Sequence, residues 1–266
     1  KSYALGATVY EKDDVSKREI QDINRMVYEK DESITKLYNL GRTWSLEYFE
    51  TIYKRLGMKF DFYYFESESA KTGEEMVRKH LKDGVFQESD GAIIFPGEKH
   101  GLHSRVFINS QGLPTYEAKE LGLAPIKYKN FKYDQSIIIT GNEIIEYFKV
   151  LIAALKEINP ELGEKTIHLS HGMVRLPKGK MSSRTGNVIT GESLLDEAKS
   201  QVSKLNEDEE VAETVALGAV KYSLLKASIG KDIIFDFDEC TSPTHDYEYT
   251  KKSLAKTHRW AELCLK

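Results

Sequence analysis

Three consecutive isoleucines, residues 137–139, lie between Ser136 and Thr140 and make a short segment that is apolar throughout its centre. A continuous apolar run, as opposed to an alternating one, is typical of a strand buried on both faces of a parallel sheet. A helical pattern follows over residues 143–158, and a second strand pattern covers residues 166–170. This order predicts a β-α-β unit within a Rossmann-like, doubly wound parallel sheet of the α/β class.

Helix and strand patterns also alternate in the rest of the chain. The helical spacing of apolar residues predicts one or two helices over residues 14–38, a helix that Ser45 caps and Gly57 ends, and further helices over residues 74–81, 115–121, 193–205, 208–229 and 250–265. Strands are predicted over residues 60–65 and 233–237, and a β-hairpin over residues 91–95 and 104–109.

Composition excludes several classes of protein. The 266 residues suffice for one large α/β domain or two smaller ones. With 38 Lys and Arg against 42 Asp and Glu, the net charge is −4, so a polyanion would have to bind at a local basic patch.

Cys240 and Cys264 form neither a metal-ligand pattern nor a disulfide framework, which predicts a reducing, cytoplasmic location. The histidines likewise lack metal-ligand spacing, so we expect no structural metal. With no run of eighteen apolar residues, we expect no membrane span.

The loop over residues 178–187 has a composition that suits a triphosphate. It holds two glycines, the cations Lys178, Lys180 and Arg184, and the hydroxyls of Ser182, Ser183 and Thr185. Lysine ammonium groups act as point charges on phosphate, and hydroxyls and backbone N–H groups supply hydrogen bonds. The alternative is a solvated basic turn, which is common on protein surfaces.

The order of residues in this loop favours the first interpretation. Residues 180–184, Lys-Met-Ser-Ser-Arg, resemble the KMSKS signature of the class I aminoacyl-tRNA synthetases, in a form frequent in the arginyl family. The resemblance implies that Lys180, Ser182, Ser183 and Arg184 stabilise the departing pyrophosphate. Ser183 stands where the usual signature has a second lysine, and this departure favours the arginyl family over its relatives.

Two other segments resemble parts of the same family. Residues 112–122 form a turn and a short helix in which the i, i+4 spacing places Tyr116 and Glu120 on one face. A phenol and a carboxylate so placed could receive a guanidinium, although the same spacing is common on ordinary surfaces. The segment resembles the arginyl family's arginine-site motif, in which aspartate is usual at the position of Glu120. The resemblance therefore implies that Tyr116 and Glu120 bind the arginine side chain.

Residues at the ends of the two predicted parallel strands point to a nucleotide. In open α/β sheets, ligands bind beyond the carboxyl ends of the strands, where Gly141 permits close approach and Glu143 can accept ribose hydroxyls. A plain helix cap by Asn142 or Glu143 is the alternative. Gly141 and Glu143 resemble the family's Gly-x-Asp element. The same resemblance places the adenine of ATP against the backbone of a second stretch, formed by His171, Gly172, Met173 and Val174.

The resemblance extends over about residues 40–240 and implies a ligase that activates L-arginine with ATP and Mg²⁺ and transfers it to tRNA. We expect a monomer. The family's second signature, His-x-Gly-His, does not occur in the chain, and Lys1 is not an initiator methionine, so we expect further residues upstream. The alternative function is a synthetase-like protein that binds nucleotide or RNA without catalysis. The predicted segments are a helical connection (1–58), a Rossmann-like catalytic domain with a hairpin insertion (59–190), a helical segment after the signature (191–240) and the start of a C-terminal helical region (241–266).

Overall fold

A computed structural model describes residues 2–175, 190–205 and 207–241. The helix predicted over residues 250–265 lies outside this part. The chain divides into two compact units. The first comprises the described residues of 1–60, 174–228 and 233–266, and the second comprises residues 61–173 and 229–232. Among the described residues, no helix has the length and apolar character that a membrane crossing needs.

The described chain contains both helices and strands. As far as the hairpin, they are α1 (Ser2–Lys12), α2 (Asp14–Glu29), α3 (Glu32–Arg55), α4 (Glu66–Leu81), β1 (Gln87–Ser89), β2 (Ala92–Phe95) and β3 (Arg105–Ile108). They continue as α5 (Tyr116–Asn130), β4 (Ser136–Gly141), α6 (Ile145–Ile158), α7 (Pro160–Lys165), β5 (Thr166–His171), β6 (Val174–Arg175), α8 (Gly191–Ser203), α9 (Glu209–Leu225), β7 (Ile233–Ile234) and α10 (Phe237–Cys240).

The helices α2 and α3 start at aspartate caps. Asp13 accepts a hydrogen bond of 2.9 Å from the backbone N–H of Ser16 at the start of α2, and Asp31 accepts one of 2.8 Å from Ser33 at the start of α3. The prediction that Ser45 caps a separate helix is wrong. Its hydroxyl donates to the carbonyl of Gly41, one turn earlier within α3, so the helix continues without a break.

The helices α8 and α9 pack on each other in the first unit. Phe235 is fully buried in their core. Arg55, at the end of α3, donates to Glu213 of α9 at 2.7 Å and to Asp196 of α8 at 2.6 Å. The strand predicted over residues 233–237 is shorter than expected, because α10 begins at Phe237.

The second unit has its core between α4, α5, α6 and a three-stranded antiparallel sheet in the order β1-β2-β3. The predicted hairpin is confirmed as β2 and β3. Phe86 and Phe107 meet edge to face at the centre of the core, with ring centroids 5.0 Å apart. The prediction of a strand over residues 60–65 is wrong. The segment has no partner strand among the described residues, and a strand needs one to satisfy its backbone groups.

The β-α-β prediction is confirmed, with a correction. The strands β4 and β5 run parallel in a register that pairs Ser136 with Thr166 and Gly141 with His171, and α6 and α7 connect them. However, this sheet has two strands among the described residues, and Ile137 and Ile139 are 37% and 65% exposed. The strand β4 is therefore not buried on both faces. The described part of the chain is a mixed α/β structure with small sheets.

Candidate active site

The amino end of α5 is held by the turn that precedes it. The side-chain oxygen of Asn109 accepts hydrogen bonds from the backbone N–H groups of Gln111 and Leu113, at 3.0 and 2.9 Å. Gly112 has a φ of +77°, which glycine adopts without strain. The hydroxyl of Thr115 then donates to the carbonyl of Val106 in β3 at 2.8 Å. These bonds fix where the first turn of α5, which contains Tyr116, begins.

The helices α4 and α5 cross at very short range. A Cβ atom added to Gly73 would lie 1.8 Å from the carbonyl oxygen of Ala118, and one added to Gly122 would lie 2.4 Å from the backbone nitrogen of Gly73. Both glycines are buried, and Ala118 has no exposed surface. The position of α5 therefore depends on small residues at this crossing.

Tyr116 and Glu120 lie one turn apart on α5 in different surroundings. Tyr116 is 67% exposed, and the ammonium of Lys119 lies 5.3 Å from its ring centroid. Glu120 is half-buried, and its carboxylate makes no hydrogen bond or ion pair with any residue that the structure describes. Burial raises the pKa of Glu120; the ammonium of Lys127 opposes this shift and the carboxylate of Glu66 adds to it. A cation at Glu120 would relieve the cost of burying its charge.

Tyr147, on α6, is a polar group near Glu120 that we did not predict from the sequence. Its half-buried ring lies under the guanidinium of Arg105, 5.3 Å from it, and Arg105 also donates to Glu117 at 2.7 Å. Burial, followed by the negative charges of Glu120 and Glu117, raises the pKa of Tyr147, so its phenol stays protonated at neutral pH. The available signal was its position one turn after Glu143, on the helix that follows the predicted nucleotide loop.

Several residues predicted to bind nucleotide come together at the carboxyl ends of β4 and β5. Gly141 and His171 are paired in the register of these strands. A Cβ atom on Gly141 would lie 3.5 Å both from the carboxyl carbon of Glu143 and from the sulfur of Met173. The glycine, the carboxylate and the thioether thus line one place, which is the edge where open parallel sheets bind ligands.

The backbone at Gly172 is tightly enclosed. A Cβ atom at this position would lie 1.9 Å from the carbonyl oxygen of Lys231, so only glycine fits. The imidazole Nδ1 of His171 lies 2.8 Å from the carbonyl of Gly172 and donates to it. The backbone N–H of Met173 donates to the carboxylate of Asp232 at 3.0 Å. Asp232 was not predicted, because 59 residues separate it from its partner and no local pattern connects them.

His168 fixes the end of β4 from the neighbouring strand. Its Nε2 lies 2.7 Å from the hydroxyl of Thr140, and its ring stacks on Phe148 with centroids 4.2 Å apart. Burial lowers the pKa of His168, so the imidazole is neutral at pH 7. The contact holds the residue that directly precedes Gly141.

Val174 is assigned to a different unit, and the signature loop lies outside the described residues. Val174 belongs to the first unit, where β6 pairs with β7 and Val174 faces Ile233. The four residues predicted to stabilise pyrophosphate lie outside the described residues; they are Lys180, Ser182, Ser183 and Arg184.

Comparison with known families decides the class of the chain. Residues 2–237 match the family model described as "tRNA synthetases class I (R), catalytic domain". The chain belongs to this family. The match includes the signature loop and every residue of the arginyl-type site predicted above.

Relatives of this arginyl class I family cover most of the chain. It is 31% identical over 252 residues to an arginine–tRNA ligase of Porphyromonas gingivalis and 37% identical over 212 residues to one of Treponema denticola. These alignments include 88% and 76% of the chain but 42% and 36% of the relatives, so the chain spans less than half of their length.

Solved arginyl-tRNA synthetases share the fold. The structure from Plasmodium falciparum superposes with a TM-score of 0.68 at 18% identity, over 88% of this chain and 41% of that one. The structure from Thermus thermophilus gives a TM-score of 0.62 at 21% identity, over 88% and 47%.

Proposed function

We propose that the chain acts as part of an arginine–tRNA ligase, which activates L-arginine with ATP and then transfers the arginyl group to tRNA. The observation that carries the proposal is the match of residues 2–237 to the arginyl class I catalytic domain. In the first step, the carboxylate of arginine attacks the α-phosphate of ATP, giving arginyl-adenylate and pyrophosphate. Mg²⁺ bound with the nucleotide would screen the charge of its triphosphate.

The guanidinium of arginine is received at the amino end of α5 in this proposal. The half-buried carboxylate of Glu120, which has no hydrogen-bond partner among the described residues, is the charged acceptor. The exposed ring of Tyr116 supplies a face or hydroxyl one turn away. The protonated phenol of Tyr147 adds a further hydrogen-bonding group near Glu120. An arginine side chain satisfies both needs of this site, because it is cationic and carries several donors.

The nucleotide binds at the ends of β4 and β5. Gly141 lets the ribose approach the strand end, and Glu143 accepts its hydroxyls, while residues 171–174 hold adenine through their backbone. Lys180, Ser182, Ser183 and Arg184 stabilise the pyrophosphate as it leaves. We further propose that β4 and β5 belong to a doubly wound Rossmann-like sheet and that the enzyme is a cytoplasmic monomer.

Arginine-dependent exchange of pyrophosphate into ATP, measured on the full-length protein with tRNA present, tests the proposal. We expect exchange with arginine and much slower exchange with lysine or glutamate. Faster exchange with another amino acid would refute arginine as the substrate. Binding of ATP without exchange would favour a synthetase-like binding protein instead.

A further inference from the structure

The peptide that joins Gly172 to Met173 is held at both of its polar atoms. Its carbonyl oxygen accepts from Nδ1 of His171 at 2.8 Å, and its N–H donates to the carboxylate of Asp232 at 3.0 Å. The backbone of Lys231 lies against Gly172 so closely that no side chain fits there. A peptide with both groups bonded and one face blocked cannot rotate without losing these contacts.

This peptide lies at the candidate nucleotide site. The sulfur of Met173 and the carboxylate of Glu143 are both within about 3.6 Å of the point where a Cβ of Gly141 would lie. A change in the orientation of the peptide therefore changes the backbone that faces the bound base.

Asp232 is the member of this arrangement that comes from a distant part of the sequence. It is exposed, it lies directly before β7, and the signature loop and the helices α8 and α9 lie between it and Met173 in the sequence. Hydrogen bonds to a charged acceptor contribute more than neutral ones. An ionised carboxylate at this position therefore fixes the Met173 N–H more firmly than water would.

We infer that Asp232 is a positioning residue for the base of ATP: it locks the Gly172–Met173 peptide so that the backbone of residues 171–174 meets adenine in a single orientation. The inference rests on the proposed function, because it takes the ligand of this backbone to be the adenine of ATP. Asp232 touches no reacting atom. Its effect is expected on nucleotide recognition and not on the rate of the chemical step.

The test measures nucleotide binding by the full-length protein in the absence of arginine and tRNA. The probes are ATP and ITP, whose base lacks the 6-amino group of adenine. In the Asp232→Ala variant, we expect the Kd for ATP to rise about tenfold, because one charge-assisted hydrogen bond that orients the peptide is lost. The Kd for ITP should change much less. Asp232→Asn, which retains an acceptor oxygen, should recover most of the affinity for ATP.

Controls separate this role from a general effect on folding. Asp134→Ala removes another exposed aspartate of the same unit, which has no side-chain hydrogen bond or ion pair among the described residues, and should leave both Kd values unchanged. The thermal unfolding midpoint of each variant is measured alongside. If Asp232→Ala does not fold, Asp232→Glu, which moves the carboxylate by one methylene, is used and should give an intermediate Kd for ATP.

Two results would overturn the inference. One is an unchanged Kd for ATP in Asp232→Ala, and the other is an equal loss for ATP and ITP. Neither depends on the amino-acid substrate, because no amino acid is present. Conversely, if the wild-type protein binds ATP as expected but shows no arginine-dependent exchange, the proposed ligase activity fails while the role of Asp232 stands.

Discussion

Alanine in place of Gly73 should force α4 and α5 apart. Its Cβ would lie 1.8 Å from the carbonyl oxygen of Ala118, whereas real Cβ contacts essentially never fall under 3.0 Å. The helices must therefore separate by about 1.2 Å at this point, the difference between 3.0 and 1.8 Å. Overpacking of this kind costs about 1–3 kcal/mol of stability. The atoms that this Cβ would meet belong to the backbone of Ala118 and Lys119, so no flexible side chain can move aside.

The same shift should reach the arginine site, because Tyr116 and Glu120 are in the first turns of α5. A displacement of about 1 Å at such a site can cost up to about a hundredfold in rate. We expect Gly73→Ala to raise the KM for arginine in the exchange assay by about tenfold or more, and to lower the free energy of unfolding in urea. The KM for ATP should change less, since Gly141 and Glu143 belong to the β4–α6 connection.

Gly218→Ala is the matched control. Gly218 lies inside α9, and a Cβ there meets nothing within 4 Å. Alanine at such a helical position is expected to stabilise by about 0.5–1 kcal/mol. If Gly73→Ala unfolded at the same urea concentration as the wild type and kept its KM for arginine, the result would refute a close crossing of α4 and α5 at Gly73.

Three other substitutions test the core and two titrating groups. Phe107→Ala removes a fully buried ring and should cost about 3–5 kcal/mol in urea unfolding, and a loss below 1 kcal/mol would place Phe107 outside the core. Burial raises the pKa of Glu120 in the folded state. The folded protein therefore loses stability as pH rises through that pKa, because the buried carboxyl group then ionises. Glu120→Gln should therefore raise the urea midpoint at pH 8 more than at pH 5, while arginine binding is lost at both; an equal gain at the two pH values would contradict the burial effect. Burial lowers the pKa of His168, so its contribution is present above its unfolded pKa and disappears as pH falls through the folded one. We expect His168→Gln to flatten the fall in thermal midpoint between pH 7 and pH 5, and an unaltered slope would assign that fall to other groups.

Local patterns predicted the parts of the fold that local forces decide. The isoleucines of β4 and the helical pattern after them gave the β-α-β order, and Pro96 and Gly97 marked the connection of the hairpin. The prediction at Ser45 failed because a serine inside a helix can bond to the carbonyl four residues earlier as readily as it caps a new one. The exposure of Ile139 was equally beyond local reasoning, since an apolar run reveals a preference for burial but not which neighbours cover it.

In the candidate site, too, some features follow from local sequence and others depend on the tertiary structure. The spacing of Tyr116 and Glu120 follows from helix geometry and could be predicted, whereas the burial that sets the pKa of Glu120 comes from the tertiary structure around it. Asp232 could not be predicted, because its bond to Met173 joins residues brought together only by the fold.

The amino-terminal helices differ from the rest of the chain in how they should open. The helices α2 and α3 bury no residue completely, so local unfolding there exposes little apolar surface and costs little free energy. The carboxyl-terminal half of α3 is bonded to α8 and α9: the hydroxyl of Tyr48 donates to Glu192 at 2.7 Å, and the guanidinium of Arg55 donates to Asp196 and Glu213. Amide hydrogens along α2 should therefore exchange with solvent early, and protection should rise towards Arg55, where fraying of α3 has to break charged contacts with two other helices.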